Sequence, residues 1–278
     1  MLIPVPASLA DHAAKLNGVV SEPRDASTVV VVRDGAEGLE AYLLRRQQSM
    51  KFAPGMYVFP GGGVDAADAS LDVPWVGDPP SVWAARFNTT EEKARELVCA
   101  AVRETFEESG VLLAGPDEHS IVADTSGPEW LAARLALEAH EFSFAEFLLK
   151  EGLVLRTDLL GAWAHWITPD FEPRRFDTRF FVAVLPEGQS VGELPREADR
   201  ATWAPLSRVL ASVDAGEAAM LPPTHITCRE LSALSSGEVL AAAAERQIIA
   251  IEPQLVEIDG QYFLRNPLRD PLGKEDDD

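Results

Sequence analysis

Arg103-Glu104-Thr105-Phe106-Glu107-Glu108-Ser109-Gly110-Val111 sets three carboxylates on one helical face and closes on a glycine. At about 100° per residue, Glu107 lies to one side of Glu104 and Glu108 to the other. Val102 and Phe106 point the opposite way, so the same helix can bury an apolar face. Three clustered acids repel one another and gain little as a solvated surface. They make chemical sense as hard oxygen ligands for Mg²⁺ or Mn²⁺. An acidic helix with a chance pattern is the plainer alternative.

Upstream, Phe59-Pro60-Gly61-Gly62-Gly63-Val64-Asp65 is a glycine-rich turn after an apolar, strand-like run. Together the two pieces resemble the Nudix box, the signature of the Nudix hydrolases. That pattern runs glycine, five residues, glutamate, seven residues, then Arg-Glu-aliphatic-any-Glu-Glu-any-Gly-aliphatic. Arg103, Glu104, Glu107, Glu108, Gly110 and Val111 fit its second half, and Gly62 fits its start. Gly62 and Arg103 stand 41 positions apart where the pattern needs 14, so about 27 residues are inserted, placed here near 66–92. Thr105 replaces an aliphatic residue and can pack through its methyl group. Counted back from Arg103, the first-half glutamate falls at Arg95, with Glu92 and Glu96 near enough to substitute.

The resemblance implies an α/β fold, a Nudix α/β/α sandwich with a mixed sheet. To this the sequence adds the insertion within the box and a helical C-terminal extension. It also implies hydrolysis of a nucleoside diphosphate linked to another group. Glu104, Glu107 and Glu108 are then the metal ligands, with Glu107 and Glu108 also counted as catalytic, and the Gly61 carbonyl a further ligand to Mg²⁺ or Mn²⁺. Arg103 orients the glutamates through ion pairs; an ordinary helix-surface arginine is the alternative. Family members carry a base on a loop before a tryptophan-bearing strand. Counting back from Trp203 gives Glu197 as candidate base or extra ligand, with Glu193 in reserve.

The interrupted box is similar to that of the coenzyme A diphosphatase subgroup, as is the run from His165-Trp166-Ile167-Thr168-Pro169 to Phe180-Phe181. By this analogy coenzyme A or acyl-CoA is split into 3′,5′-ADP and (acyl) 4′-phosphopantetheine. Such a substrate needs cations for its phosphates. Arg174, Arg175 and Arg179 form one basic cluster; Arg45, Arg46 and Lys51 form another. Arg45, Arg46, Arg175 and Arg179 are the substrate-binding candidates. On a strand Arg175 and Arg179 share a face that Arg174 does not. Pairing with surplus surface acids is equally open to each. Two other functions stay open: the same chemistry on ADP-ribose, NADH or another nucleoside diphosphate derivative, and a non-catalytic nucleotide-binding module.

A net charge of −21 excludes broad electrostatic binding to nucleic acid or anionic lipid, leaving a small nucleotide as the expected partner. Hydrophobic residues make up 46% of the 278, enough for a core, and no run approaches a membrane span. The first residues lack the charged start of a signal peptide. Cys99 and Cys228 form no CxxC pair, which suits a reduced, cytoplasmic protein. No His/Cys spacing suggests zinc. A homodimer is allowed, not demanded.

Along the chain, 27–33 and 39–46 read as strands around an Asp34-Gly35 turn. A helix capped by Thr89 or Thr90 ends at Gly110. Pro128–His140 and Ser143–Gly152 read as helices of a cap over 115–155. Leu159–Ile167 and Phe176–Leu185 are strand-like, and helices follow at Pro205–Val213, Thr227–Leu234 and Ser236–Arg246. The whole is expected as one domain over 1–265, with C-terminal helices in 205–250 and a disordered acidic tail at 266–278.

Overall fold

The computed structural model describes residues 2–4, 20–49, 53–69, 73–192 and 198–265. The acidic tail lies outside them. Strand β1 is Leu2–Pro4. The β-branched run of Thr28 to Val32 forms the middle of β2 (Arg24–Gly35), which turns into β3 (Gly38–Arg46). Gly35 pairs with Gly38, so the tight turn is Ala36-Glu37 and the expected Asp34-Gly35 turn belongs to the strand. Gly38, at φ 101°, supplies the left-handed backbone that closes the hairpin.

Two short strands, β4 (Tyr57–Val58) and β5 (Gly61–Gly63), pair with β3 and β2 respectively. A 3-10 turn at Ala66–Ala69 and β6 (Trp75–Val76) precede α1 (Pro80–Phe87). This helix lies in the segment read as an insertion. Trp83 and Phe87 on it are each 2% exposed and pack on Phe181 at ring separations of 5.7 and 5.2 Å. Each such burial is worth about 1.5–3 kcal/mol. The segment is therefore part of the core.

Helix α2 (Glu91–Ser109) is capped by the Thr90 hydroxyl, which accepts from the Lys93 N–H, and ends at Gly110 in the left-handed region. Thr105 is fully buried and returns its hydroxyl to the Ala101 carbonyl at 2.7 Å. Strand β7 (Ala114–Gly115) leads to α3 (Pro128–Glu138) and α4 (Phe144–Glu151), the two expected cap helices. Ser143 and Glu146 form a capping box at the start of α4. Trp130 and Phe147 from these helices meet Phe106 of α2 at 6.2 and 5.3 Å.

The remaining elements are β8 (Val154–Arg156), β9 (Gly161–Ile167), β10 (Phe176–Val184) and β11 (Ala198–Pro205). They continue with α5 (Leu206–Asp214), α6 (Pro222–Leu231) and α7 (Ser236–Glu245). Helix α6 starts earlier than expected because Pro222 and Pro223 fit its first turn, where a missing N–H costs nothing. Last come β12 (Ala250–Ile251), β13 (Gln254–Ile258) and β14 (Gln261–Arg265).

The residues expected as one domain divide into two compact units. The larger holds 26–164 and 179–248, and its main sheet runs β11-β3-β2-β10-β9. Strand β11 pairs antiparallel with β3, opposing Trp203 to Tyr42. The smaller holds the described residues within 1–25, 165–178 and 249–265. There β1 and β13 flank β14, and β12 pairs in parallel with His165 and Trp166. The β13–β14 hairpin turns on Asp259-Gly260, both at positive φ. The extension is thus helical only as far as α7.

Candidate active site

The site is built where α2 crosses the glycine turn of the larger unit. Gly61 pairs with Thr28 of β2, and a Cβ on it would stand 2.4 Å from the Ser27 carbonyl oxygen. A side chain there would push the turn off the sheet. A Cβ on Gly62 would meet the Glu104 carboxylate at 2.5 Å. The glycines therefore let backbone and carboxylates approach closely.

Arg103 organises the acids. It is 7% exposed, and its Nε and Nη2 donate to the two carboxylate oxygens of Asp68, both at 2.9 Å. Nη1 donates to Glu104 at 2.8 Å and to Glu107 at 3.3 Å, and Nη2 also reaches the Gly63 carbonyl at 3.0 Å. On the far side of the turn, Glu108 accepts from the Gly61 N–H at 2.7 Å. Every box acid is thus held by a donor supplied by the box itself.

The charges do not balance. Arg103 faces three carboxylates, all nearly buried. Burial, together with the charges of Glu107 and Asp68, pushes Glu104 up to about 7 against the pull of Arg103. Glu107 is raised as well, first by burial and then by Asp68 and Glu138. Burial would lower the acidity threshold of Arg103, but Asp68, Glu104 and Glu107 outweigh it and hold it above the usual range.

Among the described residues, no three Asp, Glu, His or Cys side chains converge tightly enough to hold an ion as they stand. The donor chemistry nevertheless fits a hard divalent cation: carboxylate oxygens beside backbone carbonyls, carrying a charge penalty that a cation would lift.

Asp68 was missed by sequence reasoning. Counting back from Arg103 led to Arg95, yet Arg95 stacks on Trp75 and Glu96 pairs with Lys93. Counting forward from Gly62 by the family's own spacing lands on Asp68, which pairs with Arg103. The extra residues then follow Asp68.

The other candidates are dispersed. Glu197, Glu193 and Lys51 lie outside the described residues. Arg45 pairs with Asp199 at 2.7 and 3.1 Å, exposed at the β3–β11 edge. Arg46 follows it at the end of β3, opposite Ala198. Arg179 is buried in the larger unit, and Arg175 in the smaller one. The Arg175 guanidinium donates to the carbonyls of Thr168 and Ser21 and to Glu252. Arg174 is exposed.

A family model described as the NUDT19 Nudix domain matches residues 88–231. The acyl-coenzyme A diphosphatase NUDT19 of Homo sapiens is 30% identical over 237 residues, covering 72% of this chain and 62% of that protein. Its namesake from Xenopus laevis is 27% identical over 199 residues, covering 59% and 52%. The chain thus spans roughly half to three-fifths of the length of these relatives. Among solved structures, a NUDIX hydrolase from Alicyclobacillus acidocaldarius superposes with a TM-score of 0.66 at 29% identity, covering 80% of this chain and 97% of that one. With the interrupted box, the Arg103 network and a family model that takes in half of the sequence, the chain belongs to the Nudix family.

Proposed function

We propose that the protein hydrolyses the pyrophosphate bond of coenzyme A or acyl-CoA, yielding 3′,5′-ADP and (acyl) 4′-phosphopantetheine. The surplus of buried carboxylates around Arg103 carries the chemistry of this reading. The names of the frog and human relatives, both acyl-coenzyme A diphosphatases, support its substrate.

A pyrophosphate would meet a negative site in a chain of net charge −21. In this reading Glu104, Glu107, Glu108 and the Gly61 carbonyl would hold Mg²⁺ or Mn²⁺, which would supply positive charge and polarise the attacking water. Arg103 takes no part in the bond change. It keeps Glu104 and Glu107 from rotating apart, while the Gly61 N–H fixes Glu108. Glu197 is proposed as the general base or an additional ligand.

For the phosphates, Arg45, Arg46, Arg175 and Arg179 are the proposed contacts, and their present partners rank two of them. The Arg45–Asp199 pair is exposed and screened by water, so a phosphate can displace it cheaply. Withdrawing Arg175 would strand two carbonyls at about 1–3 kcal/mol. No helix among the described residues is long and apolar enough to cross a membrane. A cytoplasmic location and a homodimer belong to the same proposal.

The test is product analysis by mass spectrometry with coenzyme A, ADP-ribose or NADH in Mg²⁺ or Mn²⁺. Formation of 3′,5′-ADP that chelation and Glu107→Gln both abolish is the expected result. Cleavage of ADP-ribose or NADH alone overturns the coenzyme A assignment. No cleavage of any substrate points to a nucleotide-binding role.

A further inference from the structure

Glu107 and Glu108 stand in the last turn of α2, where a helix least favours acids. The unpaired carbonyls there carry about half a negative charge, and a carboxylate beside them is destabilised. The last turn of α2 contains no basic residue to offset this. Compensation arrives from the cap. Arg134 on α3 is 6% exposed, and its Nη2 and Nε donate to the Glu107 carbonyl at 2.9 and 3.3 Å.

The surroundings are fitted to that guanidinium. A Cβ on Gly192 would stand 2.2 Å from its Nη1, and one on Gly110 would stand 3.3 Å away. The Gly192 N–H closes the Ser109 carbonyl at 2.7 Å, and the Thr125 hydroxyl closes that of Gly110 at 2.7 Å. Arg134 is the charged member of this set. Its field and that of Glu108 both act on the buried phenol of Tyr42, in opposite senses.

We propose that Arg134 is a second positioning arginine: Arg103 orients the Glu104 and Glu107 side chains, and Arg134 fixes the helix turn that carries Glu107 and Glu108. The proposal rests on the reading of these glutamates as metal ligands. It makes the cap a working part of the site, since the cation that steadies the ligand turn is borne on α3.

Mn²⁺ titration followed by the electron paramagnetic resonance of the free ion tests this without substrate. Removing a nearby cation would, through charge alone, tighten Mn²⁺ binding. Loss of positioning weakens it. Arg134→Met should weaken binding roughly tenfold, the usual scale for a group that orients a ligand. Arg134→Lys keeps the charge but not the fork and should fall between. Gly192→Ala, which crowds Nη1, should shift binding the same way even if Arg134→Met fails to fold. Leu135→Ala, exposed on the same helix, should bind as the wild type does. Unchanged or tighter binding by the folded variants overturns the role of Arg134 alone. A wild type that binds no Mn²⁺ overturns the metal reading, and this proposal with it.

Discussion

Arg103 in the larger unit and Arg175 in the smaller one are equally buried, each 7% exposed, yet they sit in opposite electrostatic settings. Arg175 donates to two backbone carbonyls and to Glu252, whose side chain is 42% exposed. One cation meets one acid, and water shares the acid. Arg103 meets Asp68, Glu104 and Glu107, whose side chains are 1, 14 and 10% exposed. A buried arginine thus means two different things. Balanced, it braces loops; outnumbered, it marks a place that still wants positive charge.

The largest effect expected from this contrast is on rate. Glu107→Gln keeps the shape of the side chain and removes its charge, so kcat should fall on the order of 10²–10⁴-fold. Glu252→Gln, the matching change beside Arg175, should leave kcat within about twofold, because it alters a half-exposed partner of an arginine that two carbonyls still hold. Comparable losses of kcat in folded variants would erase the distinction.

Stability should separate the same two arginines by a smaller margin. Arg103→Met leaves three buried carboxylates without their cation, and breaking a buried pair costs about 3–5 kcal/mol. Arg175→Met leaves two carbonyls unpaired and one acid that water can reach, a cost of about 1–3 kcal/mol. Urea midpoints with unchanged slopes would measure both. If Arg175→Met proves the more damaging, the smaller unit is better braced by its arginine than the site is.

What the sequence made legible follows the range of the interactions. Helix α2 was readable from end to end because its cap, its apolar face and its terminal glycine are local signals. The Arg103–Asp68 pair spans 35 positions, and a count from the wrong end of the box hid it. The two Asp-Gly pairs show the limit of dipeptide signals. Asp34-Gly35 lies within β2, where strand register moved the turn to Ala36-Glu37. Asp259-Gly260, beyond the last helix expected from the sequence, forms the β13–β14 hairpin. Pro79-Pro80, inside the segment read as an insertion, starts α1, since proline is tolerated in a first turn. The role of Arg134 was not legible, because it depends on which helix end the cap happens to meet.

The smallest effect is also the most diagnostic of why Arg103 is outnumbered. Glu104 moves from an ordinary 4.5 to about 7 on folding, chiefly through burial. The folded state then holds that proton more tightly than the unfolded chain does. Its contribution to stability is complete below about pH 4.5 and is lost as the pH rises through about 7. A divalent cation competes with the proton for the same carboxylate. Thermal midpoints should therefore rise more with added Mg²⁺ at about pH 8 than at about pH 5.5, because only at the higher pH is the carboxylate free of its proton. Glu104→Gln should flatten the pH dependence of the metal-free protein across that window and shrink the Mg²⁺ effect. An Mg²⁺ shift that is equal at both pH values, or unaltered in Glu104→Gln, would mean that the surplus charge around Arg103 serves something other than a cation.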